Sequence, residues 1–182
     1  HNDFLDNGIK IFNEDGEKIS RDIEKRIEKH LAGDLSSVET SAIGKAFRFD
    51  ESGPRYIEFC KSTVPSEISF SSLRIVLDCA NGACYKVSPE VFEELGAEII
   101  KIGTEPDGYN INQECGSTHP EIVSKAVIDH RADFGVSLDG DGDRVILVDE
   151  KGNILDGDDL LYILAFALSL IHISEPTRPR LI

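Results

Sequence analysis

Three short runs constrain this chain most: LRIVLDC (Leu73–Cys79), AEIIKIG (Ala97–Gly103) and DFGVSLD (Asp133–Asp139). Each is apolar or β-branched over strand length and is bounded by turn residues. Between them lie stretches with helical patterning, Pro89–Leu95, stopped by Gly96, and Pro120–Ala132. Strand–helix–strand order demands right-handed crossovers and a mostly parallel sheet. Strands covered by helices on both faces must be apolar on both sides, as these are. The expected class is therefore α/β, a mostly parallel sheet with helices on both faces.

The flanks extend this pattern. VILVDEKGNIL (Val145–Leu155) reads as a hairpin turning at Lys151-Gly152-Asn153, with Asp156 or Asp158 capping a closing helix. That helix carries the longest apolar run, Leu160–Ile173. Its 14 residues fall short of the roughly 18 a membrane span needs, so it is expected to be a buried helix. Upstream, turns at Asp6-Asn7-Gly8 and Asp15-Gly16 bracket Ile9, Ile11 and Phe12 in a hairpin-like start. Ser20 can cap a helix with Ile23, Ile27 and Leu31 on one face, ended by Gly33. Residues 34–53 are mixed and Ser/Gly-rich, which suits a domain boundary. Pro54 fits the first turn of a helix bearing Tyr56, Ile57, Phe59 and Cys60.

The formal charge of −15, from 34 acidic and 19 basic residues, argues against nucleic acid or anionic membrane as a partner. It fits a cytoplasmic protein or one that gathers cations. The opening HNDFLDNGIK is polar and forms no signal sequence. Cys60, Cys79, Cys84 and Cys115 form no C-x-x-C pair and are expected to be reduced thiols. A chain that starts at His1 and lacks methionine is expected to be a fragment. The final ISEPTRPRLI breaks the pattern of the preceding helix, so residues 172–182 are expected not to be native sequence.

The chemistry concentrates in SLDGDGDR (Ser137–Arg144), where Asp139, Asp141 and Asp143 alternate with glycine. The glycines let the backbone curl until all three carboxylates point at one centre. An oxygen-only set selects a hard cation, magnesium or calcium. Without one, the carboxylates raise one another's pKa values. A calcium loop of the EF-hand kind finds its final acid in Glu150. But Arg144 stands where that loop needs glycine, and the flanks read as strands. A phosphatase site would use Asp139 as nucleophile and Asp141 as acid/base. Such sites carry threonine or valine where Asp143 stands, which favours a cation cage. Arg144, planar and always charged, suits a phosphate contact beside that cage or simple charge balance within it. The Asn81-Gly82 turn at the end of the first strand is expected to be a plain tight turn.

With those residues in view, the chain resembles the α-D-phosphohexomutases. HNDFLDNGIK resembles the end of that family's phosphoserine loop. GPRYIEFCKST, IVLDCANGACY, FEELGAEIIKIGTEPDGYNINQECGSTHPE and SLDGDGDRVILVDEKGNILDGDDLLYILA resemble its second domain. The resemblance implies a C-terminal part of domain one at residues 1–50, and domain two at residues 54–171. It implies phosphoryl transfer between the 6- and 1-oxygens of a hexose through a phosphoserine and a bisphosphate intermediate. Its implied cofactor is Mg²⁺, held by Asp139, Asp141, Asp143 and the phosphoserine, and its implied partner is a phosphorylated hexose. The likeness is strongest to bacterial members acting on glucosamine phosphates. Members acting on mannose or glucose phosphates, and a non-catalytic cation-binding module, are the alternatives. Lys10 matches a lysine implicated in acid/base work, and His1 a residue supporting the serine loop. The serine itself would directly precede His1, and Asp3 stands where the family has proline. Residues 1–182 alone are expected to bind Mg²⁺ weakly and not to turn over substrate.

Overall fold

A computed structural model describes residues 2, 4–6, 8–33 and 37–174, with side chains through Ser169. His1, Asp3 and residues 175–182 lie outside the described residues, and with them the His1 assignment and most of the 172–182 tail. The chain divides into two compact units, Asp6–Asp50 and the remainder.

In the smaller unit Phe12 bridges Lys18 across a turn. Asn13 Oδ1 closes that turn by accepting the backbone N–H groups of Asp15 and Glu17, at 3.0 and 2.8 Å. Helix α1 (Arg21–Leu31) follows; Ser20 occupies its N-cap position, but its side chain makes no capping bond. The apolar stripe of α1 at Ile27 and Leu31 faces Ile9, Ile11 and Ile19 across an open groove.

The larger unit begins with α2 (Ser52–Ser62) and is built on one sheet. Its strands are β1 (Arg74–Asp78), β2 (Glu98–Ile102), β3 (Phe134–Leu138), β4 (Val145–Val148) and β5 (Ile154–Leu155). The spatial order is β2-β1-β3-β4-β5. The first three strands are parallel, joined by the crossover helices α3 (Val87–Glu94) and α4 (Pro120–His130). Strands β4 and β5 add antiparallel to β3.

Position in the sheet explains burial. β1 is internal, so it is apolar on both faces. Ile75 and Leu77 pack with Phe92 of α3, whereas Val76 packs with Val123 and Val127 of α4. β2 is an edge, and its Glu98 and Lys101 stay exposed in ion pairs with Arg74 and Glu93 at 2.9 and 2.7 Å. Gly135 of β3 leaves room for α4: a Cβ there would collide with Val123 and come within 2.8 Å of Val127 Cγ2. Asp149 closes the β4–β5 hairpin. Its Oδ1 accepts the N–H groups of Lys151 and Asn153, and its Oδ2 accepts Asn153 Nδ2.

Helix α5 (Gly157–Ser174) is capped by Asp156, whose Oδ1 accepts the N–H groups of Asp158 and Asp159. α5 is not the buried helix its apolar run led us to expect. α5 packs against β5, yet Leu161, Tyr162, Ile163, Leu164, Phe166 and Leu168 are exposed. Apolarity on every side states a need for cover; it does not supply the covering surface. Among the described residues no helix is long and apolar enough to cross a membrane.

Candidate metal centre

Strand β3 ends at Leu138, and the chain turns at once through Asp139–Asp143 into β4. The turn is closed by its own backbone. Gly142 N–H donates to Asp139 O at 3.1 Å, and Asp139 N–H donates to Arg144 O at 3.4 Å. Gly142 has φ +73°, and a Cβ there would sit 2.5 Å from Cys84 Sγ, so only glycine fits. This curl gathers Asp139, Asp141 and Asp143 so that one carboxylate oxygen from each lies within 4.8 Å of the others.

Three environments act on three like groups. Asp139 is 4% exposed. Burial pushes its pKa up, but the Arg144 backbone N–H (3.1 Å) and Nε (2.9 Å) outweigh that and hold it below the ordinary carboxylate range. Asp143 is exposed, and the charge of Asp141, with burial and Asp139 added, raises its pKa. Asp141 is half-buried between them.

The set fits a small hard cation. Oxygens around octahedral Mg²⁺ at about 2.1 Å lie about 3.0 Å apart when adjacent and about 4.2 Å apart when opposite, so the three carboxylates must draw together by up to about 2 Å to share one ion. The repulsion that raises the Asp143 pKa is what a divalent charge would relieve. Arg144 already occupies both oxygens of Asp139, and the charge balance foreseen for it is realised in that pair. Lys10 belongs to the Asp6–Asp50 unit, where it is exposed beside the apolar groove of α1.

The sequence did not point to the groups beneath the loop. Asp78, fully buried at the end of β1, accepts Ala80 N–H at 2.8 Å and Gly116 N–H at 2.7 Å. Ser137, its register partner on β3, is also fully buried, and its Oγ has no hydrogen-bond partner. Ala80 and Asn81 take left-handed φ values of 55° and 49°. The Asn81-Gly82 turn is more than a plain one, because it delivers Gly82 and Ala83 directly onto Gly140 of the acidic loop. The available signal was the polar pair Asp78 and Ser137 at the C-terminal ends of the apolar runs of β1 and β3.

Residues 54–152 match the family described as phosphoglucomutase/phosphomannomutase, alpha/beta/alpha domain II. Over 165 residues the chain is 56% identical to the phosphoglucosamine mutase of Legionella pneumophila strain Lens, covering 91% of this chain and 36% of that protein. The phosphoglucosamine mutase of Methylobacillus flagellatus is 54% identical with the same coverage. A phosphoglucomutase/phosphomannomutase family protein from Burkholderia thailandensis superposes with a TM-score of 0.60 at 22% identity, over 85% of this chain and 33% of that one. At that identity the superposition speaks to fold alone. The chain spans about a third of the length of the curated relatives it matches.

Proposed function

The chain belongs to the phosphoglucomutase/phosphomannomutase family, and from that membership we propose that it carries the cation loop of a phosphoglucosamine mutase. The observation that carries this is 56% identity across 165 residues, a span that includes the acidic triad. In this reading residues 54–171 form the family's second domain and residues 1–50 the end of its first. The reaction interconverts glucosamine 6-phosphate and glucosamine 1-phosphate in the cytoplasm, through a phosphoserine and a bisphosphate intermediate.

Asp139, Asp141 and Asp143 would hold Mg²⁺, which when bound offsets negative charge on the phosphoryl group in transfer. Arg144 holds the Asp139 carboxyl below the ordinary carboxylate range, whereas the charge of Asp141 raises the Asp143 pKa. Arg144, whose exposed guanidinium pairs with Asp139, would also contact a substrate phosphate, since a guanidinium suits that group. Lys10 serves proton transfer at the sugar oxygen, and His1 supports the serine loop.

Calorimetry with Mg²⁺ tests the cage. Asp141→Asn, which removes one of three carboxylates without changing size, should weaken binding at least tenfold; unchanged affinity would sink the cage. A polypeptide that extends this sequence to the full length of its relatives should isomerise glucosamine 6-phosphate in preference to mannose 6-phosphate. A folded protein inactive on both sugars would end the mutase reading.

A further inference from the structure

The buried carboxylate of Asp78 lies at the root of two separate supports of the acidic loop. Through Oδ1 it holds Ala80 N–H, and Gly103 O holds Asn81 N–H at 2.7 Å. These bonds clamp two consecutive non-glycine residues in left-handed backbone, a conformation that persists only when its surroundings enforce it. The clamped turn sets Ala83 N–H on Gly140 O at 2.8 Å. It also packs Gly82 so tightly that any side chain there would collide with the Gly140 backbone. Through Oδ2, Asp78 holds Gly116 N–H. The next residue, Ser117, donates its N–H to Leu138 O at 2.9 Å. A Cβ on Gly116 would lie 2.8 Å from that same Leu138 oxygen. Both supports therefore end on residues 138–140, the segment that aims Asp139.

We propose that Asp78 is a positioning residue that sets the geometry of the cation loop; this rests on reading Asp139, Asp141 and Asp143 as that loop. Groups that orient metal ligands typically change metal affinity by 10- to 100-fold when altered. Asparagine at position 78 keeps one acceptor and turns a donor toward the other N–H, so one of the two supports is lost.

The test is Mn²⁺ titration of the 182-residue chain, read by electron paramagnetic resonance of the free ion. Asp78→Asn should raise the dissociation constant about tenfold or more. Val127→Ala, which opens the core between α4 and the sheet, should lower stability and leave the constant unchanged. Mn²⁺ binding by Asp78→Asn within twofold of wild type would overturn the positioning role. Absence of binding by the wild-type chain would instead overturn the cation reading on which it rests. Should Asp78→Asn fail to fold, hydrogen exchange of the wild-type chain decides. Saturating Mg²⁺ should slow exchange at the Ala80 and Gly116 amides, because coupling between cation and support is reciprocal. Unchanged exchange at both amides would refute the coupling.

Discussion

Substituting Gly135 by alanine should pry α4 from the sheet, and the structure sets the size of the effect. The added methyl would collide with a Val123 methyl, approach Val127 Cγ2 to 2.8 Å and lie 3.3 Å from Val148 Cβ. Val123, Val127 and Val148 are all fully buried, so none can swing into solvent. Overpacking of this kind costs about 1–3 kcal/mol. The smaller unfolded-state entropy of alanine returns about 0.4–1 kcal/mol. The net loss should be about 1–2 kcal/mol. Val123→Ala alone removes two buried methyl groups at about 0.8 kcal/mol each and leaves a cavity, for about 2–3 kcal/mol in total. In the double variant the new methyl fills the space vacated by Val123. The combined loss should then be about 2 kcal/mol rather than the roughly 4 kcal/mol of independent effects. Urea unfolding followed by far-ultraviolet circular dichroism reads all four proteins, since the chain has no tryptophan. Additivity within about 0.5 kcal/mol would refute the packing geometry, and with it the account of how β3 is seated to deliver Asp139.

Two further outcomes follow from protonation. Burial, with Cys84 and Asp78 adding to it, pushes the Cys79 thiol up to about 12. At pH 8 a disulfide-exchange reagent should label half-buried Cys60 in the native protein and Cys79 only after urea is added; native labelling of Cys79 would contradict its burial. The Asp149 carboxyl is held below its usual range, chiefly by Asn153 Nδ2 and then by the hairpin N–H groups. Its contribution is therefore complete above the unfolded-state value of about 4 and disappears as pH falls through the lower folded-state value. The stability gap between wild type and Asp149→Ala should close over that acid window, and a gap independent of pH would exclude the hairpin role.

The sequence by itself determined the α/β class, the three parallel strands, the β4–β5 hairpin and the acidic triad. These are local signals: β-branched runs have strand periodicity, and carboxylates alternating with glycine converge wherever a chain turns tightly. Tertiary structure decided what those signals serve. The order β2-β1-β3 sets the ends of β1 and β3 side by side, and only there do Asp78, Gly116, Gly82 and Gly140 meet. Arg144 shows the same division. Its sequence position allowed phosphate contact or charge balance, and the folded loop sets its Nε on Asp139. Helix α5 shows the converse. Its apolar run forms the expected helix, but burial needs a second surface, and β5 covers only part of it. Hydrogen bonds and close approaches between residues far apart in the chain carry no local sequence period. They exist only once the sheet has brought those residues together.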